Sequence, residues 1–230
     1  GVSAQANDGG DWPMWGRTPD RNMISPADNI PVKLEPGTMK DGTEVVDMST
    51  TENILWVAKM GSQSYGNPTV AGGMVFVGTN NETPRDPKHT GDRGVVMAFD
   101  EKTGEFQWQL LIPKLGSGKV NDWEYLGVCS SPAVGDDRVY FISNRCEVVA
   151  LDINGLKNGN QGYQDEAKYM AGADGKPYEL GDKDADIIWI YDMREELGVF
   201  PHNVASSSVL ITDKYIYATT SNGQDWSHVN

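Results

Sequence analysis

The sequence predicts an all-β fold built from four-stranded antiparallel units. Short segments rich in β-branched and aromatic residues recur along the 230-residue chain, and no helical period separates them. The composition agrees, because 26 Gly, 9 Tyr and 7 Trp favour sheets joined by tight turns. A net charge of −14 would repel phosphate groups and excludes nucleic-acid binding. We find no stretch approaching the ~20 apolar residues of a transmembrane segment.

The chain begins with small residues that are typical of a processed secretory signal. Ala4 and Ala6 form the A-x-A pattern that signal peptidase accepts. Residues 1–10 are therefore interpreted as a signal-peptide remnant, or else as a plain disordered leader. The first interpretation predicts a periplasmic or secreted protein.

Internal self-similarity is the most informative pattern in the chain. A small-residue strand, a tight turn and a second strand rich in β-branched and aromatic residues occur three times, most loosely in the third copy. The three strand pairs lie at 67–70 with 74–80, at 131–134 with 138–144, and at 207–210 with 214–219.

A third and a fourth strand complete two of these units. The fourth strand centres on Trp108 in one unit and on Trp189 in the next, and Trp56 lies in a similar strand with no unit ahead of it. Four antiparallel strands per unit predict a β-propeller with about two and a half blades present, hence an incomplete ring. The predicted parts of this propeller, within residues 11–230, are a lead-in and outer strand at 11–60, blades at 61–112 and 126–193, an insertion at 153–185 and a half blade at 203–230.

One eleven-residue segment carries a resemblance to a known family. The sequence AFDEKTGEFQW at 98–108 resembles the A-x-D-x-x-T-G-x-x-x-W tryptophan-docking motif of pyrroloquinoline-quinone-repeat (PQQ-repeat) propellers. The matching residues are Ala98, Asp100, Thr103, Gly104 and Trp108. The resemblance implies that Asp100, Thr103 and Gly104 form the turn between third and fourth strands, while the indole packs between neighbouring blades.

The lead-in resembles the same family, because DWPMWGR at 11–17 is similar to the W-P-x-W start of many of its members. We expect Trp12 and Trp15 to hold this segment on the outside of the disc. An unclosed ring leaves an apolar face bare at each end, so we expect the remaining blades to come from the same polypeptide or from another chain. The chain alone is expected to aggregate or oligomerise.

Blade topology sorts the loops into two faces. The connections between second and third strands, and those between blades, emerge on the face that usually binds ligands in propellers. The insertion at 153–185 is expected on the opposite face. The candidate ligand-face residues are Arg85, His89, Arg93, Asp122, Trp123, Arg145, His202, Asn203, Asp225, Trp226 and His228.

Each group of candidates has a functional and a structural interpretation. The three histidines form either a metal or proton-transfer cluster or three separate loop residues bonded to backbone. Trp123 and Trp226 either stack on a planar ligand or pack structurally. Arg93 and Arg145 either hold an anion in the central channel or bind turn carbonyls. Catalytic and metal-binding residues cannot be assigned from these patterns.

Cys129 and Cys146 are expected to form a disulfide in an exported protein. They open a first strand and precede a third strand of one blade, and such strands lie about 10 Å apart, beyond the ~7 Å limit for bridged Cα atoms. A bridge therefore requires the turn to fold back. Two buried thiols or a ligand pair are the alternatives.

Two functions from different classes follow. The first is an exported, non-catalytic binding or assembly scaffold, similar to quinoprotein-like repeat proteins and to the outer-membrane assembly lipoprotein propeller, with a protein partner. The second, implied by the resemblance, is a dehydrogenase that oxidises alcohols or sugars with PQQ and calcium; the adjacent cysteine pair of its alcohol-oxidising branch is absent here. A propeller subunit of a larger redox complex is a third possibility.

Overall fold

The computed structural model describes residues 10–171, 175–176 and 178–220. The first sheet contains β1 (Thr69–Ala71), β2 (Met74–Asn80), β3 (Gly94–Asp100) and β4 (Phe106–Ile112), which pair in that order and run antiparallel. The β1–β2 turn is Gly72-Gly73, and both residues have positive φ, as a two-residue hairpin turn requires.

The second sheet repeats this arrangement. It contains β5 (Ala133–Gly135), β6 (Arg138–Ile142), β7 (Glu147–Asp152) and β8 (Ile187–Asp192), again antiparallel and in chain order. The registers also agree, since Ala98 pairs with Trp108 in the first sheet and Ala150 pairs with Trp189 in the second. The predicted four-stranded antiparallel units are confirmed, in a chain that is mostly β.

A third, smaller sheet follows. Strands β9 (Leu210–Ile211) and β10 (Ile216–Tyr217) form an antiparallel pair. The first strands are neighbours, because β5 contacts both β1 and β9. Two short helices, α1 (Glu166–Tyr169) and α2 (Met193–Leu197), lie before and after β8. Within the described ranges, no helix has the length and apolar character needed to span a bilayer.

The hydrophobic core lies between successive sheets. One cluster joins the first sheet to the second and contains the fully buried side chains of Phe76, Trp108 and Phe141. A second cluster joins the second sheet to β9 through Tyr140, Val148 and Val209, among others. Strand β7 is buried along its whole length because neighbouring elements cover both of its faces.

The lead-in does not lie outside the sheets, so that expectation was wrong. Trp12 exchanges two backbone hydrogen bonds with Val70 of β1, at 2.8 and 3.0 Å, and the carbonyl of Pro13 accepts from the Val134 amide of β5 at 2.7 Å. First strands have only one partner strand in their sheets, and their free edges present unpaired amides and carbonyls. The lead-in binds these free edges.

The segment around Trp56 is extended but is not paired as a strand. From Ile54 to Met60 the side chains alternate between half-buried and exposed, and the exposed ones include Leu55 at 74% and Val57 at 53%. Trp56 packs against the first sheet, near Phe99. The segment predicted as an outer strand therefore shows the alternating side-chain burial of a β-strand. In the described part of the chain, no other strand pairs with it.

The insertion after β7 lies partly where it was not expected. It starts at the end of the second sheet opposite the β6–β7 turn, but it then runs along the outer edge of the first sheet. Asp184 pairs in parallel with Gln109 of β4, and Gln109 bonds Lys183 and Ala185 at 3.0 and 2.9 Å. The segment binds the free edge of β4 because the unpaired backbone amides and carbonyls of that edge need hydrogen-bond partners.

Candidate functional site

The candidate site is the surface formed by the loops at one end of the sheets, residues 81–93, 113–132, 143–146 and 193–209, called here the loop surface. The connections between second and third strands and those between successive sheets meet here. Three polar clusters and one exposed indole define its geometry.

The first cluster is centred on Asp122, whose side chain is wholly buried. It contacts the ammonium of Lys114, and its other oxygen accepts from the Leu115 amide at 3.0 Å and from Asn144 Nδ2 at 2.7 Å. Burial raises the pKa of the Asp122 carboxyl, while Lys114 opposes that shift. This carboxylate fastens the inter-sheet loop to the β6–β7 turn.

The second cluster is a charge network around Glu147, at the start of β7. Arg145 Nε donates to Glu147 Oε1 at 2.8 Å, and Ser143 and Tyr169 donate to the other oxygen at 2.8 and 2.7 Å. Arg194 pairs with Asp192 at 2.6 Å and lies 3.9 Å from Glu147. Burial raises the pKa of Tyr169 well above its ordinary value, so its hydroxyl stays a donor.

The third cluster joins the β2–β3 loop to the insertion. The imidazole of His89 stacks on Tyr178 with ring centroids 3.8 Å apart, and its Nε2 lies 3.7 Å from Asp86. The guanidinium of Arg93 donates to the Met170 carbonyl at 2.9 Å. Both predicted residues therefore hold the insertion against the first sheet.

Trp123 is one of the exposed aromatics of the loop surface, with 45% of its area accessible, along with Phe200 at 47%. Its backbone amide donates to the Asn203 carbonyl at 2.5 Å, and the Asn203 amide donates to the Val120 carbonyl at 2.6 Å. Lys119 lies over the indole, 5.7 Å from its centroid. The loops at 113–128 and 194–205 are thereby joined, and the indole projects from their junction.

The remaining predicted residues are dispersed. Arg85 lies away from the three clusters, over the rings of Phe99 and Phe106, where burial lowers its pKa, and it donates to the Lys59 carbonyl. His202 is exposed and lines a cavity of about 470 Å³ with Thr219 and Thr220. Asp225, Trp226 and His228 lie outside the described residues.

No metal cluster results from this arrangement in the part of the chain that is described. There, no group of three or more His, Cys, Asp or Glu side chains is placed to hold a metal ion. His89 and His202 have different surroundings, the first stacked on Tyr178 and the second at the cavity near Thr219.

The expected disulfide is absent, and that prediction is corrected. Cys129 and Cys146 are both free and buried. The Cys129 thiol faces the Leu126 and Gly127 carbonyls, while the Cys146 thiol lies 3.5 Å from the Thr220 hydroxyl. Burial raises both pKa values, that of Cys129 to about 11. The turn does not bring the two thiols together, because each faces a different group: the backbone carbonyls of 126–127 for Cys129 and the Thr220 hydroxyl for Cys146.

The tryptophans make a repeated contact between successive units. Trp56 donates from Nε1 to the Glu101 carbonyl at 2.7 Å, and Trp108 donates to the Ile153 carbonyl at 2.9 Å. Each acceptor follows the Asp that ends a third strand. Gly104 and Gly155, both with positive φ, leave the space that these indoles fill.

The turn carrying Gly104 is held by Asp100. Its Oδ1 accepts from the amides of Lys102 and Thr103 at 3.0 and 2.8 Å and from the Thr103 hydroxyl at 2.8 Å. These bonds lower the pKa of the half-buried Asp100 carboxyl, the Thr103 hydroxyl having the largest effect. A family model described as outer membrane protein assembly factor BamB, of the PQQ-repeat type, matches residues 37–167, more than half of the chain.

The chain belongs to the PQQ-repeat family. No curated protein matches the sequence at a significant level. The match includes the whole first sheet and most of the second, so the PQQ-repeat region contains the motif at 98–108 and the whole cluster around Asp122.

Sequence reasoning missed four residues of this PQQ-repeat site: Lys114, Asn144, Glu147 and Tyr169. A signal was present for one of them, since Asn80 and Asn144 occupy equivalent positions at the ends of second strands. Asn80 also bonds the inter-sheet loop, from Nδ2 to the Tyr125 carbonyl at 2.5 Å. Tyr169 had no such signal, because it comes from the insertion.

Proposed function

We propose that this chain is part of an exported β-propeller that acts as a non-catalytic scaffold for binding or assembly of other proteins. The observation that carries the proposal is the internal use of the predicted ligand-binding side chains. Asp122 is bound by Lys114 and Asn144, Arg145 by Glu147, and Arg93 by the Met170 carbonyl. These groups stabilise the loops.

Among the predicted ligand-face residues that the structure describes, the indole of Trp123 is the exposed aromatic ring with the largest apolar area for recognition. Aromatic side chains that project from rigid loops are common anchors in protein interfaces. The loops on both sides of Trp123 are fixed by backbone hydrogen bonds, so binding there would order few additional groups. The family description names an outer membrane assembly factor, which supports a protein partner for this chain as well.

Further repeats complete the sheet arrangement in this proposal. Trp108 is fully buried under the next turn, whereas Trp189, its equivalent in β8, is 37% exposed. At the other end, Leu55 and Val57 face outward from an unpaired extended segment. We propose that another unit of the same repeat covers each of these two places. One unit would supply an Ala opposite Trp56, and the other would supply a Gly-containing turn beneath Trp189.

Site-specific photo-crosslinking tests the scaffold function. A photoreactive phenylalanine analogue replaces Trp123 in the natural full-length protein within its own cells, and the same analogue at exposed Lys102, on the β3–β4 turn, is the matched control. A defined protein adduct is expected from position 123 and not from position 102. Equal adducts from both positions, or none from 123, would contradict a docking role for this surface.

The dehydrogenase hypothesis is tested on the same full-length protein. Calcium and PQQ are added, and dye reduction is measured over a range of alcohol and sugar concentrations. A scaffold gives no saturable reduction. Saturable reduction would overturn the proposal in favour of the enzyme.

Light scattering during gel filtration tests the proposed ring completion. The 230-residue chain, with Trp189 and Leu55 uncovered, is expected to run as oligomers or aggregates, because the uncovered surfaces are apolar. The full-length protein serves as the comparison and is expected to run as a discrete species. A sharp monomer peak of the isolated chain, together with cooperative melting, would contradict this part of the proposal.

A further inference from the structure

The lead-in occupies the free edges of two successive first strands. Val70 in β1 and Val134 in β5 are equivalent residues, and both point their amides away from the second strand of their sheet. Trp12 bonds the first of them and Pro13 the second. Two adjacent residues of one segment thus bind the same position in two repeats.

The next residue of the lead-in enters the core. Met14 is fully buried in the cluster that joins the second sheet to β9, together with Ala133, Ile142 and Val209. The flexible side chain of Met fills irregular space in a core well. Replacing it by a smaller residue would remove these contacts and leave a cavity. The lead-in therefore contributes to the contact between the second sheet and β9, in addition to its bonds with β1 and β5.

The end of the lead-in reaches the segment just before β9, the first strand of the third sheet. Arg21 donates from its guanidinium to the Ser208 carbonyl at 3.3 Å, and its charge lies 5.0 Å from the centre of the Trp15 ring. Between these contacts the chain turns through Gly16 and Arg17, both with positive φ. The segment from Trp12 to Arg21 contacts all three first-strand regions in succession.

We propose that the free edges of β1 and β5, together with the segment just before β9, form a binding site for a peptide that is extended at its start and then turns, and that residues 11–21 of this chain are its built-in occupant. The ligand class is a short segment that begins with an extended Trp-Pro-Met and then turns: the Trp supplies a backbone amide and carbonyl, the Pro supplies a carbonyl and needs no amide partner, and the Met fills the core. This site does not depend on the scaffold function, although it shares Ser208 and Val209 with the edge of the loop surface.

A cleavable linker tests whether the segment is bound as a ligand. Residues 26–30 are exposed, so a protease recognition sequence is inserted between Asp28 and Asn29 of the full-length protein. After folding and cleavage, the N-terminal fragment is expected to co-elute with the rest in gel filtration. A labelled synthetic peptide of residues 10–24 is then expected to exchange into the site, as measured by fluorescence anisotropy.

A matched pair of altered peptides makes the test specific. The Met14→Asp peptide is expected to bind at least about tenfold more weakly, because a charge would replace a fully buried side chain. The Met23→Asp peptide alters an exposed residue and is expected to bind as the original does. Immediate release of the cleaved fragment, or equal binding of the Met14→Asp and Met23→Asp peptides, would overturn the proposal.

Discussion

Trp108 and Trp189 have the same place in their sheets but different surroundings. Each lies on the fourth strand opposite an Ala of the third strand. Trp108 is enclosed by the turn of the following sheet and bonds its Ile153 carbonyl, whereas Trp189 keeps 37% of its surface and packs on Tyr140 of its own sheet. The burial of these indoles is therefore supplied by the next repeat.

The largest expected effect on stability comes from removing each of these two indoles. Trp108→Ala should lower the free energy of unfolding by about 3–5 kcal/mol, because it opens a cavity and leaves the Ile153 carbonyl unpaired. In the 230-residue chain, where no further repeat covers Trp189, Trp189→Ala should cost less than about 2 kcal/mol, since part of its surface already faces solvent. Urea unfolding of both variants provides the measurement, and equal losses would contradict the comparison.

The next largest effect is expected at the turn that carries Gly104, which lies beneath the indole of Trp56. Gly104 has φ +71° and an added Cβ would lie 2.5 Å from the Trp56 ring. Gly104→Ala is expected to lower the free energy of unfolding by about 2–3 kcal/mol through backbone strain and overlap. Gly198→Ala is the control, because Gly198 has φ +65° with open space around it and should cost only about 1 kcal/mol. Thermal melting followed by tryptophan fluorescence separates the two, and equal losses would rule out the indole contact as the cause.

A buried carboxyl of the second sheet provides a pH-dependent test. Burial raises the pKa of Asp186 to about 6, with Glu166 and Asp152 adding to the shift. The folded state then binds a proton that the unfolded state releases between about pH 4 and 6, so this group's contribution to stability falls as pH rises through that window. Asp186→Asn should raise the free energy of unfolding by about 1 kcal/mol at pH 7.5 and have little effect at pH 4.

Chemical denaturation at both pH values checks this expectation. The exposed Asp182→Asn is the control and should change stability by less than about 0.5 kcal/mol. A gain for Asp186→Asn that is the same at pH 4 and pH 7.5 would exclude titration of this carboxyl as the cause.

The smallest effect concerns the thiols. Because burial raises the pKa of both Cys129 and Cys146, iodoacetamide at pH 8 should label the native chain at least about a hundredfold more slowly than the unfolded chain. Mass spectrometry without reductant should find two thiols labelled after unfolding. A mass two hydrogens below that of the chain with two free thiols, and no labelling after unfolding, would show that the disulfide is present.

The sheets could be predicted from the sequence because their signals are local. Alternation of strands and turns, and the motif from Ala98 to Trp108, specify four strands with little reference to the rest of the chain. The loop sorting also depended only on topology, and it placed Asp122, Trp123 and Arg145 on one surface with Asn203.

The remaining features depend on contacts distant in sequence. Nothing around Trp12 indicates that its partner is Val70, and nothing in the insertion indicates that Asp184 would pair with Gln109. Free strand edges attract such segments, but the sequence does not say which segment binds which edge. The disulfide prediction was wrong for a similar reason, since export alone does not bring two thiols together.

The insertion has a consequence for how this protein can change over time. It belongs by chain order to the second repeat, yet it pairs with Gln109 and covers the outer edge of the first. Duplicating or deleting one repeat by recombination would either strip that edge or leave the insertion without its strand. These two repeats are thus not interchangeable modules, and we expect them to be inherited as a pair.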